Sequence, residues 1–320
     1  MLESKKASAA RLLLLALCTI GLAGCATREY SKPLPTQTAT VSVKVSTAES
    51  SEWSDGMFGL HRIPSSQVLM SCQSGSIAAV VLLGPLGAAA NAVASNAAGE
   101  RMAGDAKAIL QMKIDSQVAS SIDLAIASRK LHGKFVRGDA ASESTMLIEP
   151  AVVLCAVSET DIQPFVILKA NLRKSDSTSV WKSRYVSSTG APRPLSGPGS
   201  WTDKGGSDLK SSINQSIDQI VQLMFNDIAS PYVRDEDSLV AVEAQFPYIR
   251  ARSRVVGYKL AETDRYLSFA AKAGDASSWA GVYVVDKTIS SNRPARPGEP
   301  GVDIVDGNGS KPTTVEASSK

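Results

Sequence analysis

The most regular hydrophobic pattern in the chain lies between residues 207 and 230. Its apolar side chains recur mostly every three or four residues, which places them on one face of an α-helix. They are Leu209, Ile213, Ile217, Ile220, Val221, Met224 and Ile228. Pro231 cannot continue a helix. The pattern therefore predicts a helix that begins near Ser207 or Asp208 and packs its apolar face on a sheet.

Apolar and polar residues alternate in several shorter stretches, which is typical of strands. Residues 41–45 and 67–73 predict two short strands. Residues 165–173 and 180–186 predict the two strands of a hairpin, with Trp181 and Tyr185 on the same side.

Residues 146–157 also predict a strand, in which Pro150 favours an edge position or a bulge. Residues 88–110 predict a helix of small side chains, and residues 116–131 an amphipathic helix. Asp115 or Ser116 is the expected N-cap of the second helix. Four more strands are predicted, at residues 239–246, 254–260, 265–271 and 279–289.

This order of elements predicts an α+β fold. A mixed or mostly antiparallel sheet is covered on one face by helices and is followed by a β-rich C-terminal part. The expected organisation has five parts: a signal peptide (1–24), a tether (25–40), an α/β domain (41–230), a β-rich module (231–289) and a disordered tail (290–320). The tail is predicted because it is rich in proline and glycine and has few bulky apolar residues.

The N-terminus has the features of a secretory signal. Lys5, Lys6 and Arg11 form its basic part, and residues 12–23 are an apolar run of twelve. This run fits a signal peptide and is shorter than the roughly 20 residues that a membrane-spanning helix needs.

The end of the apolar run, Leu22-Ala23-Gly24-Cys25, resembles the lipobox of bacterial lipoproteins. The resemblance implies that Cys25 receives a diacylglycerol group and becomes the acylated N-terminus. Ala26, in place of aspartate, implies sorting to the outer membrane. The alternative is an ordinary cleaved signal followed by a cysteine.

Residues 76–98 are apolar or small almost throughout, with Pro85 between two glycines. Close packing on a sheet, a surface for oligomer contacts and insertion into a membrane are three interpretations of this segment. A fourth is that residues 77–93 hold an apolar ligand.

Net charge and cysteine content bear on two properties, nucleic-acid binding and disulfide formation. Without residues 1–24 the chain has 31 basic and 30 acidic side chains, so no strong field indicates nucleic-acid binding. Cys72 and Cys155 lie in strand-like stretches of a chain predicted to be exported, where disulfides persist. A disulfide between them and two buried thiols are the alternatives.

Candidate catalytic and metal-binding motifs are sparse. His61 and His132 have no cysteine or carboxylate neighbours at ligand spacing, so no metal site or cofactor is predicted. Ser207 begins a Ser-x-x-Lys pattern without the companion motifs of penicillin-binding enzymes and is better explained as a helix cap. A hydrolase of envelope polymers would need an acid/base pair that the sequence does not indicate.

One charged pattern is a candidate binding site. Arg250, Arg252 and Arg254 alternate with small residues and would share one face of a strand. They could contact an anionic partner such as lipid phosphate. The alternative is a solvated face that discourages edge pairing.

Residues 41–230, with the hairpin and the long helix, resemble the α/β domain of envelope lipoproteins. These are the curli-secretion lipoprotein, transport-auxiliary lipoproteins and the amino-terminal domain of the periplasmic TolB protein. Together with the lipobox and the missing catalytic motifs, this resemblance indicates a non-enzymatic, periplasm-facing outer-membrane lipoprotein that serves as a structural or assembly subunit of an envelope transport or secretion complex. An envelope protein or a second copy would be its partner. The alternative is a periplasmic lipid- or ligand-binding lipoprotein.

Overall fold

A computed structural model describes residues 29–37, 39–53, 60–71, 93–94, 96–138, 142–229, 231–275 and 277–305. The predicted signal peptide, Cys25, Cys72 and most of the apolar segment 76–98 lie outside the described residues, as do residues 306–320.

Four α-helical segments and fourteen strands lie in the described part of the chain. Residues 96–103 are helical and lead through a short 3₁₀ turn into α1 (Lys107–Leu110). They are followed by α2 (Asp115–Ser128) and α3 (Asp203–Ala229). The first seven strands are β1 (Val41–Val45), β2 (Leu60–Arg62), β3 (Val68–Ser71), β4 (Phe135–Arg137), β5 (Ser144–Ala156), β6 (Asp161–Lys174) and β7 (Ser179–Ser187). The other seven are β8 (Arg193–Pro194), β9 (Leu239–Ala244), β10 (Ser253–Glu262), β11 (Tyr266–Ala271), β12 (Val282–Asp286), β13 (Ser291–Pro294) and β14 (Val302–Ile304).

All of these strands belong to one mixed sheet. Its main path runs β13-β9-β10-β11-β12-β7-β6-β5-β1-β4. β2, β3, β8 and β14 pair beside this path. β5, β6 and β7 form an antiparallel centre, whereas β1 runs parallel to β5 and β12 runs parallel to β7. The predicted α+β class is confirmed.

The helices cover one face of the sheet, as predicted. The seven apolar side chains of the α3 stripe are all buried there, in a first core that also contains Trp181 and Tyr185 of the predicted hairpin. Lys204, Gly205 and Gly206 have non-helical backbone angles, so the regular part of α3 begins at Ser207. Periodicity alone was sufficient to predict this helix because its apolar face packs on the sheet along its length.

The opposite face is also buried, which the sequence did not indicate. Side chains of β5–β7 and β9–β12 form a second core on that face. Phe246, Phe269 and Tyr283 are in ring contact at its centre, with centroids 5.3 to 6.5 Å apart. The C-terminal strands therefore continue the same sheet and enclose a core with it.

Pro150 lies in neither an edge strand nor a bulge. β1 pairs with β5 up to Ile148, and β3 pairs with it from Val152 onward. The N–H of Val152 donates to Gln67 on the β3 side. Alternate residues of a strand direct their N–H groups to the same side, so Pro150 occupies the gap where no donor is needed.

The predicted N-cap of α2 is corrected. The cap position is Ile114, without a capping side chain of its own. Instead, Gln67 places Oε1 2.7 Å from the N of Ile114 and 3.1 Å from the N of Asp115. A side chain from the start of β3 thus satisfies helix donors that have no partner within the helix.

The ordered chain also extends beyond the predicted start of the tail at residue 290. β13 pairs with β9, and β14 pairs with β10. Both strands are short, with side chains that are exposed or half-buried. β13 is polar, whereas Val302 of β14 packs against the second core. β13 has no apolar side chain to bury except that of Pro294, and β14 is too short for an alternation to be visible, so hydrophobic patterning could not reveal them.

Candidate membrane-anchoring site

The residues that follow the predicted lipidation site are held against the body of the protein. Glu29–Ser31 form a 3₁₀ turn, and three successive carbonyl groups accept hydrogen bonds. Ser183 Oγ donates to Tyr30 over 2.8 Å, Arg234 Nε donates to Ser31, and Trp181 Nε1 donates to Lys32 over 3.0 Å. Residues 30–32 of the predicted tether 25–40 are therefore fixed against the body.

The turn also donates hydrogen bonds to the body. The N–H of Tyr30 lies 3.0 Å from Asp275 Oδ1, and Ser31 Oγ lies 2.8 Å from the carbonyl oxygen of Ala271. Further along, Leu34 is buried in the first core. Together with the three accepted hydrogen bonds, these contacts satisfy the backbone carbonyl groups of Tyr30, Ser31 and Lys32 and the N–H of Tyr30, as expected of an ordered segment.

Pairing along β7 explains why the turn lies there. β12 pairs only with the last three residues of β7, from Tyr185 to Ser187. Beside the first half, Trp181 and Ser183 bond the turn from one face of the sheet. Lys182 and Arg184 contact the Tyr30 ring from the other face, at 4.9 and 4.6 Å from its centroid. Alternating side chains of one strand therefore hold the turn from both sides.

A buried ionic network stabilises the contact between the N-terminal turn and β7. The carboxylate of Asp227, on α3, is fully buried, and both of its oxygens lie 2.9 Å from Nη2 of Arg234. Tyr185 donates its hydroxyl to Oδ2 of Asp227 over 3.0 Å. Burial, and then the charge of Asp227, raise the pKa of Tyr185 well above its usual value. The network joins α3, β7 and the N-terminal turn.

Sequence reasoning missed these residues, although one signal was present. Asp227 lies seven residues after Ile220 and three after Met224, so it falls on the apolar face of α3. A carboxylate on a buried helix face requires a cationic or hydrogen-bonding partner. Arg234 follows seven residues later and fills that role.

The predicted disulfide is not decided by the described residues. Cys155 is fully buried on β5, with Sγ 3.4 Å from the carbonyl oxygen of Ile249. Ser71, which directly precedes Cys72 in the sequence, pairs in register with Cys155. Cys72 itself lies outside the described residues, so the pairing stays a prediction.

The three arginines do not form one strand face, which corrects that expectation. β10 begins at Ser253, so only Arg254 lies on it. Arg254 pairs with Glu243 at 3.3 Å and with Asp303 at 3.1 Å. Arg252 donates to the carbonyl oxygens of Ile289 and Glu243, and Arg250 precedes the strand in the connection from β9. Two carboxylates thus already neutralise the strand arginine.

The remaining candidates lie apart from one another. His61 is on β2, with Nδ1 2.9 Å from Asn96 Oδ1, and His132 is exposed in the turn after α2. Ser207 is exposed at the start of the regular part of α3. Within the described ranges, no group of three or more histidine, cysteine or acidic side chains could hold a metal ion.

Three concave sites in the described part of the chain are small or open. Two narrow clefts hold about 20 Å³ each, which is enough for about one water molecule. A wide groove of about 390 Å³ between α2 and α3 is lined mainly by polar side chains, with Leu124 and Ile217 as its apolar members. None of the described helices combines the length and the apolar character required to cross a bilayer.

Comparison with known proteins does not identify a family for this chain. No protein-family model matches the chain, and no curated protein matches it at a significant level. Among solved structures, the chain is similar to protein XCC0632 from Xanthomonas campestris, described as DUF330, with 15% sequence identity and a TM-score of 0.23. The match covers 34% of this chain and 58% of that protein. A TM-score this low supports neither a shared fold nor a shared function, so the comparisons assign no family to the chain.

Proposed function

We propose that this protein is a non-enzymatic outer-membrane lipoprotein that serves as a structural or assembly subunit of an envelope transport or secretion complex. The lipobox-like sequence Leu22-Ala23-Gly24-Cys25 carries the proposal. Lipidation of Cys25 would add two or three acyl chains. One chain gives only marginal membrane binding, whereas two or more give stable anchoring.

The geometry after the lipobox supports an anchoring role. Tyr30, five residues after Cys25, begins a backbone stretch whose carbonyls are bonded to β7 and Arg234. An anchor attached to such a stretch holds the folded body directly, because little slack chain separates lipid from protein.

The ligand-binding alternative gains no support from the described residues. Ligand pockets are usually concave, mostly apolar and several hundred Å³ in volume. A cavity of that size, the open groove between α2 and α3, is mainly polar. The segment 77–93, where a ligand was expected, lies outside the described residues apart from Val93.

Two measurements on cells test the proposal. Wild type and the variant Cys25→Ser are compared by metabolic labelling with palmitate and by separation of the inner and outer membranes. We expect labelled wild type in the outer membrane and an unlabelled variant that is released from it. Equal labelling and equal fractionation of the two proteins would reject the lipoprotein assignment.

The subunit role is tested separately by cross-linking in cells followed by purification in detergent. We expect a defined complex with an envelope protein or with a second copy of the chain. A lipidated protein that is strictly monomeric and cross-links to no envelope protein would reject the subunit role and leave the anchor intact.

A further inference from the structure

The second core covers only part of its side of the sheet. Its last members on the three central strands are Ala151, Ile167 and Val186. The next cross-strand row consists of Glu149, Lys169 and Arg184. The ammonium of Lys169 lies 3.7 Å from the ring centroid of Trp53, and the guanidinium of Arg184 lies 4.6 Å from that of Tyr30. These two rings mark the border of the covered region.

Two further rows lie beyond this border on the same side of the sheet. The register aligns one row across β1, β5, β6 and β7, which consists of Lys44, Leu147, Asn171 and Lys182. The other row consists of Ser42, Thr145, Arg173 and Ser179. Their neighbours along the strands, such as Met146, Leu172 and Trp181, are buried in the first core. The side chains of the two rows therefore point to the opposite side.

Solvent reaches these two rows, which we call the uncovered sheet face. Seven of the eight residues are exposed or half-buried. The eighth is Ser42, which is buried and donates to the carbonyl oxygen of Gly138. The two rows line none of the three concave sites described above. A sheet face without a pocket suits a broad protein surface better than a small ligand, which usually binds in a concave site.

The charge of the uncovered sheet face is positive. Lys44, Arg173 and Lys182 lie on it, and neither row contains a carboxylate. Lys182 lies 3.9 Å from Asp275, which is at the side of the face and only 10% exposed. Arg173 is exposed and forms no ion pair with a described residue. An acidic partner would therefore complement this face.

A second copy of the chain is a poor fit for the same face. Two-fold symmetry places the same patch of both subunits in contact, so basic side chains would face basic side chains. Like charges in an interface disfavour the complex. Leu147 lies in the middle of its row, between basic and amide side chains, as expected where an apolar centre is surrounded by polar contacts.

We propose that the uncovered sheet face binds an acidic segment of another envelope protein, with Arg173 as the main ionic contact and Leu147 as an apolar contact. This inference rests on the proposed function, because it names the surface and the partner chemistry of the proposed complex. The contact then lies on the side of the sheet opposite to α2 and α3.

The test uses the full-length lipidated protein in cells, with photoreactive benzoylphenylalanine at position 145. Position 127 is the matched control, because Ala127 is exposed on α2. Each protein is also made with Arg173→Glu, with Arg173→Gln, which removes the charge without reversing it, or with Lys210→Glu. Lys210 is exposed on α3 and controls for a change of charge elsewhere. Urea denaturation of the soluble Cys25→Ser forms identifies the variants that fold.

We expect position 145 to cross-link to an acidic peptide of an envelope protein several-fold more strongly than position 127 does. Arg173→Glu should reduce this cross-link about tenfold, Arg173→Gln by less, and Lys210→Glu should leave it unchanged. Replacement of an acidic residue of the cross-linked peptide by lysine should restore the cross-link in the Arg173→Glu protein.

Three results would overturn the docking surface: no cross-link from position 145, a cross-link to a second copy of the chain, or a cross-link that folded Arg173→Glu and Arg173→Gln proteins retain in full. If chemical cross-linking in the same cells still yields a defined complex, the subunit role stands and only the docking surface falls. The absence of both the complex and the cross-link from position 145 would overturn both.

Discussion

Arg234 and Asp227 form a buried ion pair that also secures the N-terminal turn. Both carboxylate oxygens of Asp227 lie 2.9 Å from Nη2 of Arg234, whose side chain is 9% exposed. The same guanidinium donates from Nε to the carbonyl oxygen of Ser31. One arginine thus joins the long helix to the segment that follows the proposed anchor.

Removal of one partner of this pair should be costly. Arg234→Met leaves the Asp227 carboxylate buried without its cation, and we expect it to lower the free energy of unfolding by about 3–5 kcal/mol. Urea denaturation of the soluble Cys25→Ser form measures this. Lys113→Met is the control, because its pair with Glu49 is partly exposed to solvent and should contribute about 1 kcal/mol or less.

The double variant Asp227→Leu/Arg234→Met distinguishes the contribution of the ion pair from the cost of one unpaired buried charge. We expect it to recover only part of the lost stability. Two apolar side chains leave no buried unpaired charge, but the buried hydroxyl of Tyr185 loses its acceptor and the carbonyl of Ser31 loses the guanidinium. A single variant as stable as wild type would show that the pair does not hold the fold.

Because the hydroxyl of Tyr185 is buried, we expect the folded protein to lose stability at alkaline pH. Burial raises its pKa in the folded protein above the value of about 10 for an exposed tyrosine. Between these two pKa values the unfolded chain has released the proton while the folded chain retains it. Stability therefore falls as pH rises above about 10.

Tyr185→Phe tests this dependence. The variant should lose about 1 kcal/mol at neutral pH, because one hydrogen bond to Asp227 is removed. Its urea midpoint should fall less steeply than that of wild type between neutral pH and about pH 11. Parallel curves for the two proteins would contradict a contribution from this hydroxyl.

The side chain of Gln67 should contribute more to the stability of the fold than an exposed glutamine does. Gln67→Ala removes the acceptor of two N–H groups at the start of α2 and a donor to the carbonyl oxygen of Ala48. We expect a loss of about 2–3 kcal/mol, because buried groups are left unpaired. Gln117→Ala, at an exposed position of the same helix, should change stability by less than about 0.5 kcal/mol. A loss of stability in Gln67→Ala as small as that in Gln117→Ala would indicate that water replaces the side chain of Gln67.

Docking of the N-terminal turn predicts a protected amide at Tyr30. Asp275→Ala removes its acceptor, so we expect exchange of this amide to accelerate about fivefold, as loss of ~1 kcal/mol implies. Hydrogen–deuterium exchange of the peptide that spans residues 29–34 measures this. Asp264→Ala, in the exposed turn between β10 and β11, is the control. Fast exchange in wild type would mean that the turn is not held.

Local periodicity predicted the elements whose burial repeats along the chain. The α3 stripe and the β6–β7 hairpin, with Trp181 and Tyr185 on one side, are examples. The contacts at the candidate site have no such repeat. Trp181 bonds to Lys32 across 149 positions, and Gln67 caps a helix 47 positions away. Single hydrogen bonds between distant residues leave no periodic signal in the sequence.

The candidate site was therefore predictable only in part. The sequence around Cys25 indicates where a lipid would be attached, since signal peptides and lipoboxes are recognised as linear motifs. The docking of Tyr30–Lys32 depends on β12 pairing with only the last three residues of β7, which is a property of the assembled sheet.

The most direct test of the central claim is the mass of the N-terminal peptide of the membrane-extracted protein. The account predicts a peptide that begins at Cys25 and carries a diacylglycerol group on sulfur. A peptide that begins elsewhere, or an unmodified Cys25 in the membrane-bound protein, would contradict it.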